Sequence, residues 1–515
     1  MKNSICKAVL LCLGVFSLTT AKAQKHKKPN VLLIYTDDHR FSGIHALGGQ
    51  PVKTPNIDAL ANTGMVFTEA HLMGAFSGAT CMPSRAMLNS GKQLFHLTDI
   101  GHVLPKTDVT IGEAFKQGGY NTYMVGKWHQ DRGSLARSFD DGASVMGIGV
   151  YLTDHYRMPI WDWDKTGKFP KKDAYLLTYD EQGKTKRRAI TKNDKRGPTG
   201  TELTGPHTSE IFAENASKYI KNYKKRDPFF MYLAFHAPHD PRQAPKKYQD
   251  MYPVNEMELT PSYMSQHPFD NGDMYLRDEE LAAWPRTPQV SKKELSAYYA
   301  IITHLDAQIG KVVQSLKDKG EYENTIIVLV GDSGLAVGNH GLMGKQNVYE
   351  EDGIHVPLIF SGGYVKQKGA RYNALSYIHD IYPTVCDMAG ISIPSSVEGK
   401  SLKPVIDGAK KQVYDYGYYA YKQFQRAFRK GDYKLIEYVK SPNVDWKRGF
   451  SIKGSRVTQL FNIKKDPWET QNLAFFPEHK ALLKEMQEEF AKAGKDLDDY
   501  KQGIGVDYDF WDYYN

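Results

Sequence analysis

Cysteine is scarce: the 515-residue chain has four, and two of them, Cys6 and Cys12, fall in an N-terminal stretch with the make-up of a secretory signal. Only Cys81 and Cys386 lie beyond it, which excludes a disulfide framework as the source of stability. No apolar run reaches the ~20 residues that a membrane-spanning helix needs. Internal repeats, heptad series and low-complexity tracts are also missing, so solenoids, coiled coils and disordered scaffolds are excluded. The net charge of +8 is modest and dispersed, which argues against a nucleic-acid partner and suits anionic substrates.

Residues 1–23 combine Lys2 and Lys7, an apolar run from Ala8 to Phe16, and Ala21-Lys22-Ala23. That order predicts a signal peptide cleaved after Ala23 and an exported, periplasmic or extracellular product. Neither Cys6 nor Cys12 follows the small residues of a lipoprotein cleavage site. Removing the three lysines of this stretch, which has no acids, leaves +5.

Four apolar runs end in reactive side chains: Asn30 to Thr36 before Asp37-Asp38-His39, Tyr120 to Val125 before Gly126-Lys127-Trp128-His129, Phe229 to Phe235 before His236-Ala237-Pro238-His239, and Thr325 to Val330 before Gly331-Asp332-Ser333-Gly334. Helical spacing lies between them, as in Leu295, Tyr298, Tyr299, Ile302, Leu305, Ile309, Val312 and Leu316. Strands alternating with helices predict an α/β fold with a largely parallel sheet covered on both faces. Ligands of such sheets bind beyond the carboxyl ends of the strands, so the four clusters should converge on one edge.

Adjacent Asp37 and Asp38 repel each other unless a cation sits between them. With Asp332 they make an oxygen-rich site that favours calcium or magnesium over zinc; the structural alternative is a loop cap. Lys127 and His129 flank Trp128, so in extended chain they point to one face, where a cation holds an anionic oxygen and an imidazole moves protons. His236 and His239 bracket Ala-Pro, and one of them could protonate a leaving alkoxide. Lys345, in Gly344-Lys345-Gln346, is uninformative alone. Pro83 to Ser90 has Pro in a first helical turn and Gly91 as a stop, which would place free N–H groups beside Cys81.

The segment Cys81-Met82-Pro83-Ser84-Arg85 resembles the signature of the type I, formylglycine-dependent sulfatases of the alkaline phosphatase superfamily. The likeness also includes Asp37-Asp38, Thr54-Pro55-Asn56-Ile57-Asp58, Lys127 to His129, Ala237-Pro238-His239, Asp332-Ser333-Gly334, Gly344-Lys345, His379 to Thr384 and Asp466-Pro467-Trp468-Glu469-Thr470. It implies a large mixed, mostly parallel sheet sandwiched by helices. It also implies that Cys81 is converted to formylglycine by a maturation enzyme and that Arg85 steadies the product. Asp37, Asp38, residue 81 and Asp332 are implied as ligands of one calcium ion. Lys127 and Lys345 would bind sulfate oxygens, His129 would assist sulfate release, and His239 would be the general acid. Ser333 stands where the family usually has Asn or His, which leaves the fourth protein ligand as Ser333, Asn339 or a water.

The implied substrate is a sulfated glycan with a galactose, N-acetylgalactosamine or N-acetylglucosamine ester. The competing readings are a phosphoester hydrolase of the same fold and a sulfated-glycan-binding protein that has lost activity. Polar stretches at 151–205 and 266–286 are the candidate recognition loops. The catalytic unit is expected over 24–410. Over 411–515, Tyr416 to Lys422, Gln425 to Ile436 and Val457 to Asn462 read as short strands and Leu482 to Ala493 as an amphipathic helix, a smaller α+β domain. There, Gln425, Arg426 or Arg429 could touch substrate or serve structure.

Overall fold

The computed structural model describes residues 28–194, 205–440, 443–445, 450–452, 455–499 and 510–514. The expected signal peptide lies outside the described residues. Among those described, no helix is long and apolar enough to cross a membrane.

The main sheet has eight strands, which in chain order are β1 (Asn30–Thr36), β2 (Met65–His71), β3 (Asn121–Lys127), β4 (Asp141–Met146), β5 (Phe229–Ala234), β6 (Thr325–Gly331), β7 (Leu358–Ser361) and β8 (Ala370–Tyr377). Their spatial order is β8-β2-β7-β6-β1-β5-β3-β4. β7 pairs antiparallel with both neighbours, whereas every other pairing is parallel. The sheet is thus mixed and mostly parallel, as expected from the alternating pattern.

Both faces are covered. In β1, Val31, Leu33 and Tyr35 join one apolar core, and Leu32 and Ile34 the other. β5 and β6 divide in the same way, which is why these strands read as unbroken apolar runs. The Pro288–Asp318 helix packs Tyr298, Tyr299, Ile302, Leu305, Ile309, Val312 and Leu316 on the second face. Thr287 caps it through Val290 N, and Pro288 occupies its first turn. The Cys81–Ser90 helix is buried along its whole length on the first face, and Gly91, at φ 68°, closes it.

Gly417–Tyr421 (β9), Gln425–Lys430 (β10), Tyr433–Lys440 (β11) and Ser455–Asn462 (β12) form an antiparallel sheet against the Lys480–Asp496 helix. Residues Gly74–Ala75 pair in parallel with β9, so the chain just before Cys81 is tied to this second sheet.

The Thr54 to Asp58 motif docks on the long helix. Asp306 accepts from Asn56 Nδ2 and Ile57 N, both at 2.7 Å, and caps the start of the Pro55–Thr63 helix. Gly310 permits the approach, since a Cβ there would lie 2.4 Å from Asn56 Oδ1. Replacing Asp306 by Ala orphans the buried Ile57 N–H and the partly buried Asn56 amide. A loss of roughly 3 kcal/mol is expected, read as a lower thermal midpoint, with Asp306→Asn retaining part of it.

Candidate active site

Backbone ladders run past the strand ends and stitch the polar clusters together. Asp37 N donates to Ala237 O at 3.2 Å, Asp332 N to Thr36 O at 3.0 Å, and Phe235 N to Tyr35 O at 2.8 Å. β1, β5 and β6 therefore deliver Asp37, His239 and Asp332 to one edge.

Asp37 is the hub. Its Oδ2 accepts from Lys127 Nζ at 2.5 Å and from Arg85 Nη2 at 3.0 Å. Arg85 Nη2 also lies 3.7 Å from Asp332 Oδ2, and Lys345 Nζ bonds Asp38 Oδ1. Three carboxylates and three cations are thus buried together. Burial would raise the Asp37 carboxyl, but Lys127 and Arg85 outweigh it and hold the group well below the usual range. Burial pushes Asp38 up to about 7 against the pull of Lys345, and burial with the negative charge of Asp37 and Asp38 raises Asp332 further.

Asp38 has φ 62°, a strained conformation for a residue with a Cβ, costing about 1–3 kcal/mol. The turn is held at both ends: Asp38 N donates to Asp332 Oδ1 at 2.7 Å, and Asp38 O accepts from Tyr298 OH at 2.8 Å.

Cys81 opens its helix two residues before the expected start, so its Sγ sits in the first turn. Sγ lies 3.4 Å from His129 Nδ1 and 3.5 Å from Lys127 Nζ. Lys127 and His129 thus both reach Cys81, but not by the extended chain that the spacing argument assumes: β3 ends at Lys127 and His129 has φ 74°, while Trp128 itself is buried in the core. Burial raises the Cys81 thiol to about 11 and, with Lys127 and Arg85, holds His129 well below its ordinary value. Tyr35 OH bonds Ser84 Oγ at 2.6 Å, and Ser84 donates to Asp332 O at 2.7 Å, which fixes this helix against β6.

His239 lines a cavity of about 810 Å³ that also reaches Cys81, Lys127, His129, Tyr151 and Lys345. Its Nδ1 donates to Asp240 O at 2.7 Å, and its Nε2 faces Asp38 Oδ2 at 3.9 Å. His236 stands behind it, within 3.2 Å of Tyr151 OH.

A divalent cation fits this donor set. Asp37 Oδ1 and Asp332 Oδ2 are buried and accept no hydrogen bond. Donor atoms of Asp37, Cys81 and Asp332 lie within 4.8 Å of one another, as do those of Asp37, Asp38 and His239. Ser333 Oγ is 3.4 Å from both Asp38 Oδ1 and Asp332 Oδ1. Asn339 instead donates to Ser262 Oγ at 3.0 Å.

Several candidates are engaged elsewhere. Arg426 pairs with Asp499 at 2.7 Å, Arg429 with Glu69 at 2.5 Å, and Gln425 donates to Asn271 O at 3.1 Å. From the two candidate loops, Tyr151, Thr153, Leu276, Arg277, Asp278 and Leu281 line the cavity. Tyr151 carried no signal beyond its place at the start of a polar stretch. It packs under Lys127, whose Nζ is 5.6 Å from the ring centroid.

A mostly parallel α/β sheet with paired acids and lysines at its carboxyl edge is the arrangement expected of an ester hydrolase, and the sequence comparisons place it in the alkaline phosphatase superfamily. The sulfatase family profile matches residues 29–391, and the N-sulphoglucosamine sulphohydrolase C-terminal profile matches 338–496. The chain belongs to the sulfatase family and is a sulfuric ester hydrolase. It is similar to an N-acetylglucosamine-6-O-sulfatase of Bacteroides thetaiotaomicron, 25% identical over 95% of this chain and 91% of that one. An arylsulfatase of Clostridium perfringens is 28% identical over 88% and 92%. A solved complex with its substrate D-glucosamine-2-N,6-O-disulfate matches with a TM-score of 0.68 and 22% identity, covering 92% of this chain and 99% of that one.

Varying the leaving group tests whether His239, rather than His236, protonates the leaving oxygen. His239→Ala should lower kcat on a sugar sulfate by about 10²–10⁴ and much less on an aryl sulfate, whose phenoxide leaves unaided. His236→Ala should cost less and show no such dependence. The check is kcat for both variants on both esters.

Proposed function

We propose that the protein is an exported carbohydrate sulfatase that removes a sulfate ester from a galactose, N-acetylgalactosamine or N-acetylglucosamine residue of a glycan in the periplasm or outside the cell. The observation that carries this reading is the position of Cys81: first turn of a buried helix, within 3.5 Å of Lys127 and His129, lining a cavity with room for a sugar. The names of the similar sulfatases, one acting on N-acetylglucosamine-6-O-sulfate and one active on ulvan from Formosa agariphila, support a glycan substrate.

Cys81 would be converted to formylglycine by a maturation enzyme, supplying a hydrate with one hydroxyl to attack sulfur and a second to expel sulfate afterwards. Asp37, Asp38, residue 81 and Asp332, with Ser333 beside them, would hold one calcium ion, which when bound offsets negative charge at the reacting centre.

The chain's own residues do the rest. Lys127 and Lys345 bind the sulfate oxygens, which lowers the repulsion met by an incoming nucleophile. Arg85, fixed to Asp37 and to Lys127 O at 2.9 Å, keeps Lys127 aimed at residue 81. His129 is neutral because burial and the neighbouring cations disfavour its charged form, so its Nδ1 can accept a proton from residue 81. His239 presents Nε2 to the cavity because Nδ1 is committed to Asp240 O. Burial and Lys345 hold His239 well below its ordinary value; the negative charge of an arriving sulfate ester opposes this and favours protonation at Nε2, and the proton then goes to the leaving sugar oxygen.

The test is sulfate release from singly sulfated galactose, N-acetylgalactosamine and N-acetylglucosamine, using protein co-expressed with a formylglycine-generating enzyme. Release at one hydroxyl of one sugar is expected, and Cys81→Ala should abolish it. Faster turnover of a phosphate mono- or diester would favour the phosphohydrolase alternative. Binding of a sulfated sugar without turnover, with residue 81 confirmed as aldehyde, would overturn the enzymatic reading.

A further inference from the structure

Arg277 lines the cavity together with Tyr151 and Lys345, and most of its guanidinium N–H groups are already engaged by protein acids. Nη1 and Nη2 donate to the two oxygens of Asp240 at 2.8 and 3.0 Å, and Nε donates to Asp278 Oδ1 at 2.8 Å, where Nη2 also binds. The Arg277 side chain is 39% exposed, whereas both carboxylates are buried. Asp278 is pinned in turn by Gln346 Nε2 at 2.7 Å, next to Lys345. Asp240 follows His239, so this group borders the place where the leaving sugar must sit.

An arginine recognises a sulfate or carboxylate through its fork of N–H groups. Here four of the five guanidinium N–H groups go to protein acids, and with Lys345 beside them and bonded to Asp38, three carboxylates against two cations leave this rim with a negative excess. Carboxylate oxygens that already accept from arginine keep lone pairs for hydroxyl donors. A neutral, hydroxyl-bearing sugar face is therefore complementary to the rim, and a second anion on that face is repelled.

We propose that Asp240, Arg277 and Asp278 form a specificity rim that reads the free hydroxyls beside the reacting position and excludes a second anionic group there. The substrate unit is then a singly sulfated sugar, rather than a disulfated sugar or a sulfated uronic acid. This inference rests on the carbohydrate sulfatase reading and narrows its substrate class.

The experiment measures kcat and KM of the matured protein on each of the three sugars, as the monosulfate and with a second sulfate on a neighbouring hydroxyl. On the sugar that is turned over, the second sulfate should lower kcat/KM by about tenfold or more, chiefly through KM. Asp278→Asn, which removes one negative charge from the rim, should narrow that gap. Equal or faster turnover of the disulfated sugar, or a gap unchanged in Asp278→Asn, overturns the proposal. Affinity of both sugars for Cys81→Ala protein, which needs no maturation, gives a second reading that does not depend on the Asp278 variant folding. Tighter binding of the monosulfate supports the rim, and equal or tighter binding of the disulfate overturns it. Sulfate release from no sugar would count against the sulfatase reading itself, and the binding comparison would still decide the rim.

Discussion

Three carboxylates that share one buried strand edge cannot all stay ionised without compensation, and the structure is arranged around that requirement. Asp37, Asp38 and Asp332 are fully buried and close to one another. Lys127, Arg85 and Lys345 come from a strand end, a helix and a loop to meet them. The balance is uneven. Asp37, bonded to two of the cations, is held ionised, whereas Asp38 and Asp332 are driven toward protonation. A divalent cation is the simplest ligand that would relieve this crowding, and Asp37 Oδ1 and Asp332 Oδ2, buried without hydrogen bonds, mark where it is wanted.

The same arrangement explains why residue 81 is placed where it is. Ser84 and Arg85, one turn along its helix, bond Asp332 O and Asp37, so the helix start is fixed relative to the acids. Lys127 bridges Asp37 and Cys81, and His129 closes the other side. The second sheet joins in through Gly74–Ala75 and through Gln425, whose amide donates to the carbonyls of Asn271 and Gln346. C-terminal residues therefore shape the cavity by holding its loops in place.

Much of this was legible in sequence because the signals are local. Four apolar runs became central strands, and the polar clusters after them fell on one edge by the geometry of a parallel sheet. Lys127 and His129 do meet at Cys81, but through a left-handed turn at His129 that their spacing did not contain. What could not be read depends on pairings distant along the chain. Arg277 meets Asp240 across 37 positions, Arg426 is drawn to Asp499, and Tyr151 reaches His236 across 85. The helix at Cys81 begins earlier than proline punctuation suggests, because Pro83 is tolerated anywhere in a first turn. Similarly, the choice between Ser333 and Asn339 rests on a loop that sends Asn339 toward Ser262.

The claim on which the account turns is that these acids form a binding site for one divalent cation beside residue 81. Calorimetric titration of calcium into chelator-treated protein, alongside thermal unfolding, addresses it most directly. The account predicts one site per chain, a stabilisation of about 2.7 kcal/mol at calcium a hundredfold above its dissociation constant, and loss of both in Asp332→Ala. No binding, or binding that survives in Asp332→Ala, would contradict it.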